Sequence, residues 1–359
     1  MRLGIIGLPN SGKTTIFNAL TGSSLETAAA AGGRFEIHTA VVNVPDKRVD
    51  RLSALYKPKK TTYTQVTYVD IAGLDKGVGE GGIKGQFRNE LAQVDGFVHV
   101  VRAFDDDSVP HPYETVDPAR DVEILDNEFL LTDLVTVETR LERIQTEMRV
   151  KGRNISAATS SENEVMQLIK AHLEEEKPLR DFDLTDEQEK ALRGYGFLTQ
   201  KPVLLVLNMG ETAVDPASVL TYAHRDSQIV GLQGKIEAEI AQLDPEDAEL
   251  FMTEYGIHER GADKVIRLSY ELLAIQSFFT VGEDEVRAWS VPIGATAPEA
   301  AGAIHSDLQK GFIRAEVMTY DDLIAGGSES ALKSAGKFRL EGKEYVVQDG
   351  DIVHIRFNI

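Results

Sequence analysis

Cysteine is absent from the 359-residue chain. That excludes a disulfide scaffold and thiolate metal sites, and it fits a reducing, cytoplasmic setting. Also absent is any apolar stretch near the roughly 20 residues that a membrane-spanning helix needs, so no membrane partner is expected. The first residues, MRLGIIGLPN, lack the long apolar core of a signal peptide and run directly into a glycine-containing loop. Basic residues are few beside acidic ones: 38 Lys and Arg stand against 58 Asp and Glu, a formal net charge of −20. Such a surplus argues against DNA or RNA binding by bulk electrostatics and leaves only a local basic patch as a route to RNA. Otherwise the acidity reads as solubility. What remains is an ordinary globular balance, 42% hydrophobic and 27% charged, in a chain long enough for two domains or more.

Residues 2–6 form an apolar strand that enters the loop, and residues 14–20 read as the helix that leaves it. Residues 36–44 (EIHTAVVNV) and 64–70 (TQVTYVD) read as strands, with a short helix in DKRVDRLSALY between them. GFVHVV at 96–101 and PVLLVL at 202–207 suit buried parallel strands. The alternation of these strands with helical segments indicates a doubly wound α/β domain. Residues 128–195 break the rhythm. Leu130, Leu134, Val137, Leu141, Ile144 and Met148 recur at steps of four and three, as in a coiled-coil seam. Val165, Leu168, His172 and Leu173 continue the stripe beyond a polar stretch suited to a hairpin tip, and TDEQ at 185–188 has the form of a capping box. Two readings stay open, a projecting helical arm and a bundle packed on the sheet. Arg140, Arg143, Arg149, Lys151 and Arg153 gather near the proposed tip, either as a solvated face or as an RNA contact. The last stretch reads as a small α+β module: strands at 286–294 and 313–320, a helix between them, and two closing strands in EYVVQDGDIVHIRFNI. The expected division is 1–127 with 196–275 for nucleotide binding, 128–195 for the arm and 276–359 for the module.

Gly7, Asn10, Ser11, Gly12, Lys13 and Thr14 lie in GLPNSGKT, which fits G-x-x-x-x-G-K-[ST] completely. The glycines let backbone N–H groups turn inward around phosphates, and the following helix adds its positive end. Lys13 is expected to reach the β- and γ-phosphates and the Thr14 hydroxyl to ligate Mg²⁺. Asp70 and Gly73 fit D-x-x-G at a strand end, with Asp70 holding Mg²⁺ through water and the Gly73 N–H sensing the γ-phosphate. The residue that orients water in Ras-like GTPases is a Gln; here it is Leu74, which implies slow hydrolysis or help from elsewhere. Asn208, Met209, Gly210 and Glu211 end the strand PVLLVL where a GTPase carries N-K-x-D. Glu is a methylene longer than Asp, which misplaces its carboxylate for the two guanine donors. Adenine instead offers an amino group, to which Asn208 and the backbone at Met209 are suited. ATP is therefore favoured over GTP, and a degenerate GTP site is the alternative.

These motifs, together with VDGFVHVVRAF and VRAWSVPIGATAPEAAGAIHSDLQKGFIRAEVMTYDDLI, resemble the Obg-like ATPases of the YchF type over essentially the whole chain. The resemblance implies a P-loop NTPase domain with an inserted coiled-coil arm and a C-terminal TGS domain of β-grasp type. It also implies ATP in preference to GTP, Mg²⁺, slow hydrolysis and association with ribosomes or ribosomal RNA. Carried over by position, the nucleotide loop falls on residues 10–15, Thr15 included. The adenine contact falls on Asn208 and Met209, and a later base-side loop falls at Leu232, Gln233 and Gly234. Asn10 matches the residue with which related enzymes hold potassium. His111 matches a His that positions water, the other reading being a structural loop His. The chain departs from the family at the first switch: the position of its Mg²⁺-closing Thr holds Arg34, and Thr39 falls in the strand. Ser11 stands where the family usually has Val. The expectation is a monomeric, cytoplasmic ATPase switch acting with the ribosome. The rivals are a GTPase of relaxed base choice and a nucleotide-gated ribosome adaptor with incidental turnover.

Overall fold

A computed structural model describes residues 1–25, 37–71, 83, 85–151, 156–212, 214–254 and 257–358. Arg34, Gly73, Leu74 and Arg153 lie outside the described residues, as does the side chain of Lys151. The chain divides into two compact units, one of residues 1–42 and 67–272, the other of residues 43–66 and 273–359.

The first unit is built on a six-stranded sheet in the order β2-β4-β1-β5-β6-β7. Its strands are β1 (Arg2–Ile6), β2 (Ile37–Asn43), β4 (Gln65–Ile71), β5 (Gly96–Ala103), β6 (Val203–Met209) and β7 (Ser227–Leu232). β1 pairs in parallel with β4 and β5, and the parallel run continues through β6 to β7. All seven residues of β6, VLLVLNM, are buried, as expected of a central strand covered on both faces. Helix α1 (Lys13–Thr21) follows the loop after β1, and α3 (Gly85–Gln93) precedes β5.

Helix α4 (Pro118–Lys151) runs unbroken for 34 residues, roughly 50 Å at the α-helical rise. It begins ten residues before the expected arm, at Pro118. Val122, Leu125 and Phe129 pack into the core under the sheet with Val94, Phe97 and Val101, the Phe97 and Phe129 rings 5.1 Å apart. Farther along, Leu130, Val137 and Leu141 meet Val165, Met166, Ile169 and Leu173 of α5 (Ala157–Glu174). The expected α5 stripe needs one correction. Leu168 is 57% exposed, and the buried face is Val165, Met166, Ile169 and Leu173, steps that keep to one side of a helix with 3.6 residues per turn. His172 turns to the Pro178 carbonyl, 3.0 Å away. Thr185 and Gln188 form the expected capping box at the start of α6 (Asp186–Leu192). In the basic cluster, Arg140 is paired with Glu162 at 2.7 Å, whereas Arg143 and Arg149 are exposed.

The second unit contains a mixed sheet in the order β11-β10-β12-β8-β9-β3. Its strands are β3 (Lys60–Thr62), β8 (Ile275–Thr280), β9 (Glu285–Pro292), β10 (Phe312–Thr319), β11 (Arg339–Glu341) and β12 (Asp351–Phe357). Residues 43–66, counted by the sequence with the nucleotide-binding domain, therefore belong here. β3 is an edge strand parallel to β9, and α2 (Lys47–Tyr56) buries Val49 and Leu52 against Phe279, Val286, Met318 and Ile352. Arg48 fastens the join by bridging Asp46 and Asp349, the latter at 2.6 Å. The opposite face of the sheet covers Ala297, Ala300 and Ala301 of the helix Ala297–Ile304. The first of the two expected closing strands does not form. Around residues 344–347 the chain makes one isolated bridge, Thr296 to Val346, and turns back through a hydrogen bond from the Asp351 N–H to the Gln348 carbonyl. β10 has β11 and β12 as its two neighbours.

Candidate functional site

The loop after β1 is shaped by its glycines. Gly7 has φ +151°, and a β-carbon there would come within 2.3 Å of the Val100 carbonyl oxygen on β5. Gly12, with φ +93°, is the left-handed residue from which α1 starts. Asn10 sits exposed at the apex with φ +60° and donates from Nδ2 to the Pro110 carbonyl at 2.9 Å. The Lys13 ammonium curls under the loop to the carbonyls of Gly7 and Leu8, at 2.9 and 2.8 Å. The N–H groups at the start of α1 and the Lys13 ammonium thus belong to one loop, the ingredients of an oxyanion cradle. The Ser11 hydroxyl is buried there without a hydrogen-bond partner among the described residues. Thr15 is half-buried in the first turn of α1.

Asp70 lies at the end of β4, 1% exposed, and its Oδ2 accepts from the Thr14 hydroxyl at 3.2 Å. Burial pushes its carboxyl above the usual carboxylate range, and Lys13 and Thr14 pull the other way. Its second oxygen, Oδ1, is buried with no hydrogen-bond partner among the described residues. A buried, unsatisfied carboxylate oxygen beside a hydroxyl fits Mg²⁺, which takes few protein ligands and keeps its waters and the substrate phosphates. No group of three or more His, Asp or Glu gathers for a metal among the described residues.

Asn208 is placed differently from the sequence-based expectation. It is 4% exposed; its Nδ2 donates to the Ser11 carbonyl at 3.0 Å and its Oδ1 accepts from the Gly234 N–H at 3.2 Å. The side chain expected to meet adenine thus ties the phosphate loop to the start of α8 (Gly234–Ile240). Met209 is 7% exposed and packs its side chain into the core near Gly231. Gln233 reaches from the N-terminus of α8 to the Glu211 carbonyl at 2.5 Å. Asn208 and Gln233 together tie the start of α8 to the phosphate loop and to the segment after β6.

His111 is enclosed, its side chain 3% exposed. Nε2 faces Asp121 Oδ2 at 2.8 Å and Nδ1 accepts from the Tyr113 N–H at 3.1 Å. Both ring nitrogens are engaged, in the manner of the structural reading. Arg120 bonds the other oxygen of Asp121 at 2.8 Å and stacks on Tyr113. The sequence does not point to Asp121 or Pro110: neither belongs to a spaced motif, and both matter through contacts far from any periodic pattern. A cavity of about 450 Å³ lined by Pro216, Leu220, Tyr222, Ile229 and Lys264 shares no residue with the phosphate loop.

Comparison with known proteins agrees with this layout. The family model described as "50S ribosome-binding GTPase" matches residues 2–118. The model of the YchF-GTPase C-terminal region, described as a protein of unknown function, matches residues 275–358. The "Ribosome-binding ATPase YchF" of Bacillus subtilis (strain 168) is 44% identical, with 99% of each chain covered. That of Escherichia coli O157:H7 is 41% identical over 100% of this chain and 99% of its own. The solved structure of the Schizosaccharomyces pombe YchF GTPase superposes with a TM-score of 0.82 at 33% identity, covering 99% of this chain and 97% of that one. With full-length identity at this level, and with the phosphate loop, the Asp70 strand end and the C-terminal sheet all in place, the chain belongs to the YchF family.

Proposed function

We propose that this protein binds ATP at residues 7–15, hydrolyses it slowly, and uses the turnover as a switch in its association with the ribosome. The observation that carries the reading is the pairing of Thr14 with Asp70 above a loop whose Lys13 is already drawn into the phosphate cradle. Thr14 would hold Mg²⁺ with Asp70 in the outer shell, and the chemistry it would supply is neutralisation of phosphate charge. Lys13 and the loop N–H groups bind and orient the triphosphate. Leu74 has no group to orient the attacking water, which accounts for slow turnover and for help from a partner or from potassium held at Asn10. Gly73 and His111 are kept as candidate contributors, and His111 must leave Asp121 before either ring nitrogen is available.

Names of the relatives divide over the base: the curated bacterial proteins are called ATPases, whereas one family model and the yeast structure carry the word GTPase. Glu211 in the Asp position of N-x-x-D favours ATP; the Asn208 amide, engaged by Ser11 and Gly234, lends no weight to either base, and base reading is assigned to the Met209 backbone and the Gln233 loop. A ribosome partner is supported by the names of the relatives, and no helix among the described residues is long and apolar enough to cross a membrane. We further read the chain as a cytoplasmic monomer with residues 128–195 as its arm and residues 276–359 as a TGS domain. Competition of ATP with GTP, read by phosphate release with potassium or sodium and with or without ribosomes, tests the assignment. Tighter GTP binding overturns it. Ribosome binding unchanged in Lys13→Ala would favour the adaptor reading.

A further inference from the structure

We propose that Asp121, in the first turn of α4, is a positioning residue for the phosphate loop: through His111 and Pro110 it fixes the carboxamide of Asn10 at the loop's apex. The inference rests on the reading of residues 7–15 as the triphosphate site. Asn10 has φ +60°, in the left-handed region that costs a residue with a side chain energy to occupy. Its Nδ2 donates to the Pro110 carbonyl at 2.9 Å, across 100 positions of sequence. A carbonyl oxygen only accepts, so the amide nitrogen is the end that faces Pro110, and Oδ1 is turned away from it. The orientation of Asn10 is therefore set by where Pro110 stands.

Pro110 stands in a loop tied on both sides. Towards β5, Arg102 is 2% exposed, and its guanidinium donates to the carbonyls of Phe104 and Asp106 at 3.1 and 3.4 Å. Towards α4, the residue after Pro110 is His111, whose Nε2 lies 2.8 Å from Asp121 Oδ2 with both side chains enclosed. The Tyr113 N–H occupies Nδ1 at 3.1 Å, so Nε2 carries the proton that Asp121 accepts. The other oxygen of Asp121 takes Arg120 at 2.8 Å, and the same guanidinium donates to the Thr115 carbonyl at 2.6 Å. Asp121 is thus the group on which residues 111–115 are fastened to a helix. Its removal strands a buried ring N–H, a cost that the loop relieves only by moving the ring and the backbone beside it. The backbone beside it is the carbonyl that holds Asn10.

A double-mutant cycle on the full chain tests this. Fluorescent ATP and GTP analogues are titrated into the parent, Asp121→Ala, Asn10→Ala and the double variant, and whichever triphosphate the parent binds more tightly is the probe. We expect each single variant to weaken binding about 10-fold. The double variant should stay within about twofold of Asn10→Ala, because Asp121 acts through Asn10. Arg120→Ala, with its side chain 27% exposed, takes the place of Asp121→Ala should that variant not fold, and the same non-additivity is expected. Losses that multiply to about 100-fold overturn the proposal. So does an Asp121→Ala variant that melts earlier yet binds the probe as tightly as the parent. Tighter binding of GTP refutes the ATP assignment and not this one, since the cycle is then read with GTP.

Discussion

Gly12 and Asn208 meet so closely that a β-carbon on Gly12 would fall 2.1 Å from Asn208 Nδ2. The φ of +93° at Gly12 adds a backbone penalty for any other residue. Gly12→Ala is therefore expected to displace Asn208 and lower triphosphate affinity by roughly 100-fold, as a positioned loop tolerates little misplacement. Asn208→Ala leaves the Ser11 carbonyl and the Gly234 N–H buried without partners, at a cost of about 1–3 kcal/mol for each. Titration of a fluorescent ATP analogue and thermal melting check both. Normal affinity in either variant would contradict the stitching role given to Asn208.

Asp70 is held in a place that suits a cation better than it suits the fold. Burial raises its folded-state pKa above the unfolded value, so the ionised carboxylate lowers stability: the effect grows as pH rises past the unfolded value and levels off above the folded one. Asp70→Asn is expected to raise or preserve the melting temperature at pH 7 while lowering Mg²⁺-dependent phosphate release by about 100-fold or more. Chelation of Mg²⁺ should bring the parent down to the variant. A variant that loses stability and keeps activity would refute the metal-side role.

Asp133 offers a separate pH signal. It is fully buried, and its carboxylate accepts from the Leu198 and Thr199 N–H groups at 2.9 and 2.8 Å. Burial pushes the carboxyl up to about 6 from 3.8, outweighing those donors. Between about pH 4 and 6 the folded chain holds a proton that the unfolded chain has shed. This group's contribution to stability therefore falls as pH rises through that window, by at most about 1.4 kcal/mol per pH unit, and is level above it. Asp133→Asn should remove that slope. Urea midpoints measured from pH 4 to 7 decide the matter, and an identical profile in the variant would show that Asp133 does not titrate there.

The corrected stripe on α5 separates two neighbouring side chains. Ile169 is 0% exposed and Leu168 57% exposed. Ile169→Ala is expected to cost about 2–4 kcal/mol through the cavity it leaves, and Leu168→Ala to stay within about 0.5 kcal/mol. Denaturant unfolding of the two variants gives the comparison directly; equal losses would restore the original stripe.

Phosphate chemistry was legible because it is local. GLPNSGKT places its glycines, ammonium and hydroxyl within one turn, and the strand before it and the helix after it follow from short-range pattern. Asp70 was found for a similar reason, by its position at a strand end. Asn208 stood out by its place near the end of β6, but the sequence did not show that its amide bonds the Ser11 carbonyl, a contact spanning 197 positions. His111 was singled out, but its closure by Asp121 depends on the first turn of α4 packing back on the preceding loop. Thr132 and Asp133 carried no signal, since a Thr and an Asp inside a heptad pattern look like solvent-facing positions until other segments arrive to use them.

By itself, then, the sequence determined the order and kind of most elements, the phosphate loop and the apolar faces, all of which depend on residues within a few turns of one another. Tertiary structure alone decided that residues 43–66 complete the C-terminal sheet, where Thr62 bonds Glu285 at 2.7 Å across 223 positions. It alone decided also that α4 is one rod serving both the sheet and the arm. An edge pairing of three residues leaves almost no periodicity to read. Buried hydrogen bonds such as Ile83 to Thr132 and Asn208 to Ser11 acquire their weight only when folding removes the water that would otherwise satisfy those groups.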